Sequence, residues 1–214
     1  MTAVKAVAFD LLTGLLDSWT LWNRVAGSAT LGRTWRLAYL ARTYEAGAYV
    51  PYESLVLHSA ADAGVPEAAA ERIMSEWDTL EPWPDAVRVL ERLAAVVPLA
   101  VVTNCSNALA ARAMARLGNV SFATCVAAEA VGAYKPDPRT YRQMLAALGA
   151  TAADTLFVAG SPFDVAGAAR VGMRVYWHNR AGLVAADRNS WPAGAVVAEE
   201  RTLAPLVDYV QRFS

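Results

Sequence analysis

Two histidines and two cysteines in 214 residues leave little material for a transition-metal centre or a disulfide framework. His58 falls in a helical stretch and His178 just after a strand, each without a second histidine nearby, so a histidine metal centre is not expected. Cys105 and Cys125 belong to no Cys-x-x-Cys pair and read as small buried hydrophobes. Charge of one sign is scarce as well. Nineteen basic residues stand against twenty acidic ones, for a net charge of −1, and neither sign forms a long block. Nucleic acid and anionic membrane surfaces therefore have no electrostatic hold on this chain. No apolar run is long enough to span a bilayer. The longest after the first strand, Leu93 to Val102, is short and contains Pro98. The first run is broken by Asp10 and followed by no small-residue cleavage site, so a signal peptide is not expected and a soluble, cytoplasmic protein is. Internal repeats and low-complexity tracts are absent too.

What is present is hydrophobic: 56% of residues, with a mean hydropathy of +0.26, much of it from alanine-rich helical stretches. A chain of this length makes one large domain, or one domain with an insertion, and buries roughly 70% of its unfolded surface. Two textures divide it. From about Ser18 to Leu80, Trp, Tyr and Leu recur at three- and four-residue spacing, as in Trp35, Leu37, Tyr39, Leu40 and Tyr44, with no strand-like alternation. Elsewhere short apolar strands alternate with helices. Strands are expected at Val97–Thr103, Thr124–Ala128, Leu156–Ala159, Met173–Trp177 and Ala195–Ala198. Helices are expected at Asn107–Leu117, Pro138–Leu148, Phe163–Val171 and Leu203–Phe213. Such alternation implies crossover units and a parallel α/β sheet, to which the first strand, ending at Asp10, belongs. The helical block is then an insertion of residues 17–81 in a core of residues 1–16 and 82–214. It rejoins the core at Glu81-Pro82-Trp83-Pro84, where two prolines mark a hinge or linker. An all-helical lid beside a reactive carboxylate suits a site that excludes water; an inserted subdomain that only stabilises is the plainer alternative.

Four polar signals fall at strand ends or just after them: Asp10 with Thr13, Thr103-Asn104, Lys135, and Ser161 with Asp164. Taken singly, each has a structural explanation. Thr103-Asn104 can cap the next helix, Asp164 can answer a helix dipole, and Lys135 can be solvated. In a parallel sheet, however, successive strand ends converge on one edge, and that shared position favours a common pocket. Asp17 reads as an N-terminal helix charge. Trp19, Trp22 and Trp35 either line an apolar pocket or pack the inserted block against the core.

The order strand-Asp10, Val-Val-Thr103-Asn104, Tyr-Lys135-Pro-Asp-Pro-Arg-Thr-Tyr141, Phe-Val-Ala-Gly-Ser161-Pro-Phe-Asp164 resembles the haloacid dehalogenase (HAD) superfamily. Within it, the chain is similar to the L-2-haloacid dehalogenases. The most specific part is Lys135-Pro136-Asp137-Pro138-Arg139-x-Tyr141, and the run Ala166-Gly167-Ala168 to Gly172 with Val175-Tyr176-Trp177-His178 fits too. The resemblance implies a Rossmann-like parallel sheet core carrying an inserted all-helical cap, and a hydrolase that acts on a small 2-halocarboxylic acid, with a homodimer compatible with it.

In the mechanism so implied, Asp10 attacks the carbon bearing the halogen, expels halide and forms an ester. Lys135 supplies a positive neighbour, and Asp164 activates the water that hydrolyses the ester. Thr103 and Asn104, with nearby backbone amides, hold the substrate carboxylate or the halide, while Thr13 and Ser161 contribute hydroxyls. Tyr141 orients Lys135 or lines the pocket. The cap arginine that receives halide is expected near Arg42, with Arg36 the alternative.

Magnesium-dependent HAD phosphatases carry a second aspartate two residues after the nucleophile and a metal-ligating aspartate in the last motif. Here those positions are Leu12 and Ser161, so no metal and no cofactor is expected. Two departures from the dehalogenase pattern stand out as well. Thr13-Gly14 replaces the family's Gly-Thr order, and Ala159 and Ser161 stand where serine and asparagine are usual. A phosphatase of atypical motif and a catalytically silent binding protein are the rival readings.

Overall fold

In the computed structural model, residues 3–213 are described. Six strands form one parallel sheet in the order β3-β2-β1-β4-β5-β6: β1 Ala6–Asp10, β2 Leu99–Thr103, β3 Thr124–Ala127, β4 Thr155–Ala159, β5 Arg174–His178 and β6 Val196–Glu200. Every residue of β1, β2 and β4 is buried, as expected of near-continuous apolar runs covered on both faces. The chain builds outward from β1 through β2 to β3, then returns to the other side of β1 for β4. The connections leaving β1 and β4 therefore diverge, which opens a crevice at their carboxyl ends. Asp10 stands at the last position of β1.

The expected boundaries shift for local reasons. The second strand begins at Leu99 because Pro98 has no N–H for the ladder; its carbonyl instead accepts from Val7 N at 3.1 Å. The helix expected to reach Leu117 is α-helical only over Asn107–Met114 (α6) and finishes as a tighter 3₁₀ turn. β5 extends one residue further and takes in His178. Cys105 is buried as expected, whereas Cys125 is exposed because it lies on the edge strand β3.

Residues 18–75 are wholly helical apart from their turns: α1 Ser18–Ala26, α2 Ala29–Glu45, α3 Tyr52–Ala63 and α4 Glu67–Ser75. Asp17 caps α1 by accepting from Thr20 N at 3.0 Å, as its reading as a helix-start charge anticipates, and Ser28 caps α2. The block has its own aromatic core. Trp22 lies 4.5 Å from Trp35 and 5.3 Å from Tyr39, centroid to centroid, and Tyr52 lies 5.8 Å from Trp77. Two strands of chain cross between block and sheet side by side, with Leu16 bridged to Pro82, Asp17 N donating to Glu81 O (2.8 Å) and Trp83 N to Leu15 O (2.9 Å). Beyond the crossing come α5 Ala86–Ala94, α6, α7 Ala128–Val131, α8 Pro138–Leu148, α9 Pro162–Arg170 and α10 Ala204–Arg212. Among the described residues no helix is long and apolar enough to cross a membrane.

Candidate active site

The turn after β1 folds back on its own strand end. Thr13 N, Gly14 N and Thr13 Oγ1 all donate to Oδ2 of Asp10, at 2.9, 2.9 and 2.5 Å. The reversed Thr13-Gly14 order thus still delivers the hydroxyl to the carboxylate. Gly14 is required by space, because a Cβ there would collide with the Asp10 carbonyl. The other oxygen, Oδ1, accepts from Lys135 Nζ at 2.7 Å, across 125 residues of sequence. Lys135 Nζ also lies 3.0 Å from Asp164 Oδ1, so one buried ammonium bridges two buried carboxylates.

This arrangement divides the two acids. Burial works against the charge on each. At Asp10 the Lys135 ammonium and the Thr13 donors outweigh burial and hold the group below its ordinary value. At Asp164 burial prevails, reinforced by the Asp10 charge and opposed by Lys135, and the group is pushed up to about 6. Lys135 is raised despite its burial, by the two carboxylates.

The supporting residues have more specific tasks than their types suggest. Asn104 spends its side chain on the Lys135 backbone: Nδ2 donates to the carbonyl at 3.0 Å and Oδ1 accepts from the amide at 2.7 Å. Its own carbonyl accepts from Tyr39 of α2 at 2.8 Å, which ties the helical block to the sheet edge. Tyr141 donates to Asp164 Oδ1 at 3.3 Å; it neither orients Lys135 nor lines the cavity. Ser161 caps α9, accepting from Asp164 N at 3.3 Å, and so aims the Asp164 side chain. Thr103 does not reach the cavity. Its hydroxyl faces the buried Cys105 Sγ at 3.5 Å instead.

A small cavity lies between Asp10, Thr13, Asn104, Lys135, Ser161 and Asp164 on the sheet side and Trp19, Arg36, Tyr39, Leu40 and Tyr44 on the helical side, with Leu12 and Leu183 as apolar wall. Of the three tryptophans considered, Trp19 lines it, whereas Trp22 and Trp35 pack inside the block. Arg42 is not there. It pairs with Asp62 at the surface (2.6 Å), both side chains more than a third exposed. Six residues on an α-helix turn through about 240°, so Arg36 and Arg42 occupy different faces of α2. Arg36 shares its face with Tyr39, Leu40 and Tyr44 and is 2% exposed. Its Nε and Nη1 have no hydrogen-bond partner among the described residues, and its guanidinium lies 5.0 Å over Trp19 and 5.1 Å over Trp22. Burial lowers its proton affinity, opposed by neighbours that include Asp10. The three- and four-residue spacing of Arg36, Tyr39, Leu40 and Tyr44 marks them in the sequence as sharing one face of α2, while packing sets what that face meets.

The residues do not fit the magnesium site of the phosphatase branch. Leu12 offers no carboxylate, Ser161 is occupied as a helix cap, and the Lys135 ammonium already lies between Asp10 and Asp164. Among the described residues no three His, Cys, Asp or Glu side chains come together.

A parallel sheet with an aspartate at the end of a central strand, answered by a lysine and a second aspartate, is the arrangement expected of the haloacid dehalogenase-like class. The family model of the haloacid dehalogenase-like hydrolases matches residues 4–172, and the chain belongs to that family. It is 32% identical over 115 residues to the (S)-2-haloacid dehalogenase 4A of Burkholderia cepacia, a match covering 52% of this chain and 49% of that protein, about half its length. It is 26% identical over 200 residues to haloacetate dehalogenase H-2 of a Moraxella species, covering 85% and 88%. Among solved structures, an L-2-haloacid dehalogenase superposes with a TM-score of 0.84 at 25% identity, over 98% of this chain and 100% of that one.

Proposed function

We propose that this protein hydrolyses the carbon–halogen bond of a small 2-halocarboxylic acid, without metal, through an ester on Asp10. The observation that carries the reading is the unequal treatment of the two Asp10 oxygens beside a cavity holding an arginine with unspent donors. Oδ2 is fixed by three donors, so Oδ1 is presented for attack with a single cationic neighbour. Oδ1 displaces the halide at the α-carbon in line, and the carbon–oxygen bond forms as the carbon–halogen bond breaks. A halide leaves as a stable anion and needs no acid. Arg36 and the edge of Trp19 receive it, and backbone amides of the turn before α6 hold the substrate carboxylate.

Water then attacks the Asp10 carbonyl carbon. Asp164 takes its proton, and negative charge builds on Oδ2, where the amides of Thr13 and Gly14 and the Thr13 hydroxyl form an oxyanion hole. Collapse re-forms the carbonyl as the Cγ–Oδ1 bond breaks; Oδ1 leaves with the product and takes the proton held by Asp164, which releases the 2-hydroxy acid and leaves Asp10 a carboxylate with the oxygen of water. The helical block serves as the cap that keeps other water out.

Halide release from chloro-, bromo- and fluoroacetate and both 2-chloropropionate enantiomers tests the activity. In heavy-oxygen water, a single turnover with excess enzyme is expected to label Asp10 and leave the product largely unlabelled; label in the product of that first turnover would sink the covalent route. Hydrolysis of p-nitrophenyl phosphate with added Mg²⁺ would favour a phosphatase, and inactivity on both panels a silent binding protein.

A further inference from the structure

The crossing segment Glu81-Pro82-Trp83-Pro84 reaches the reactive carboxylate through a single peptide plane. Trp83, 8% exposed, donates its indole Nε1–H to Thr13 O at 3.0 Å. That carbonyl and the Gly14 N–H are the two ends of one peptide unit, and the Gly14 N–H donates to Asp10 Oδ2 at 2.9 Å. The next carbonyl along, Gly14 O, lies 2.9 Å from Nδ1 of the wholly buried His178. A carbonyl only accepts, so Nδ1 carries the proton in that contact. The two rings brace each other, edge to face with centroids 6.3 Å apart. Gly160 packs against the same peptide, where a Cβ would meet Gly14 N at 2.5 Å and collide with Thr13 Oγ1.

We propose that Trp83 and His178 are positioning residues: Trp83 holds and polarises the Thr13–Gly14 peptide whose amide addresses Asp10 Oδ2, and His178 anchors the following carbonyl, whose own amide partner Leu15 N donates to Leu11 O, so that the turn keeps its place. A donor on a peptide carbonyl draws charge from the amide at the other end and strengthens the hydrogen bond that amide donates. The proposal rests on the reading of Asp10 as nucleophile with Oδ2 becoming the oxyanion. It follows that the relay serves ester hydrolysis, in which charge on Oδ2 grows, and not ester formation, in which charge on Asp10 is spent.

Trp83→Phe removes the indole donor and keeps an aromatic ring. His178→Leu removes the second donor, and His178→Asn keeps one near the Nδ1 position. With chloroacetate, the initial burst of halide is expected at the native rate in all three. Steady-state kcat is expected to fall about tenfold in Trp83→Phe and His178→Leu, less than the loss of a whole oxyanion donor. KM should fall alongside kcat, the Asp10 ester should accumulate by mass spectrometry, and His178→Asn should recover most of the rate. Two readouts need no turnover: the Gly14 amide proton should move upfield and the Asp10 carboxyl should titrate higher in Trp83→Phe. If both stay at their native positions, or if the halide burst slows as much as the steady state, the relay is wrong. If they move while the native protein releases no halide from any haloacid, the relay stands and the dehalogenase reading falls.

Discussion

Asp10, Lys135 and Asp164 act as one electrostatic unit at the residue scale, with a single ammonium between two carboxylates at 2.7 and 3.0 Å. Lys135→Ala would leave both acids buried without a cationic partner. The expected loss is about 3–5 kcal/mol of stability, read by denaturant unfolding, and several orders of magnitude in turnover. Retention of more than about a tenth of the activity, under roughly 1.4 kcal/mol in the barrier, would make Lys135 peripheral. The raised Asp164 has two consequences for pH. In the proposed role of base in ester hydrolysis it must be ionised, so kcat is expected to rise with pH through about 6, and Asp164→Asn should remove that limb. Its folded value lies above the ordinary 3.8, so the folded chain binds this proton more tightly than the unfolded one. Its contribution to stability is therefore full below the ordinary value and lost as pH rises through about 6, which unfolding followed from pH 4 to 7 would register.

At the scale of elements, the turns after β1 and β4 interlock. Gly160 follows β4 directly, and its missing Cβ is the space that the Thr13 hydroxyl and the Gly14 amide occupy. Gly160→Ala is expected to push the Thr13–Gly14 turn off Asp10 and cost at least tenfold in kcat, with circular dichroism unchanged; native turnover would show that the turn can yield. Most of these elements are legible locally. The apolar runs at 6–9 and 156–159, the helix starting at Pro138 and the Asp17 helix charge are all short-range signals, and each marks the element observed. The boundaries that moved did so where the decision was not local. His178 becomes part of β5 because β6 pairs with it, and Cys125 is exposed because β3 has no neighbour beyond it.

For the whole molecule, the test of chemistry is indifference to metal. Dehalogenation is expected to survive exhaustive chelation and to gain nothing from added Mg²⁺, since Lys135 supplies the positive charge between Asp10 and Asp164. Activity that chelation abolishes and Mg²⁺ restores would overturn the dehalogenase reading. The sequence by itself determined the sheet class, the helical insertion, the strand-end aspartate and the family, because apolar period, caps and motif spacing are properties of short stretches of chain. It also named Asp10, Lys135 and Asp164. Only the tertiary structure decided which arginine faces the cavity, that Asn104 is spent on the Lys135 backbone, that Thr103 faces away, and that Trp83 and His178 contact the turn after Asp10. Those outcomes depend on the rotation of a helix about its axis and on contacts across as many as 164 residues, as between Gly14 and His178. No short-range pattern encodes such contacts, because their partners meet only when the packed core brings them together.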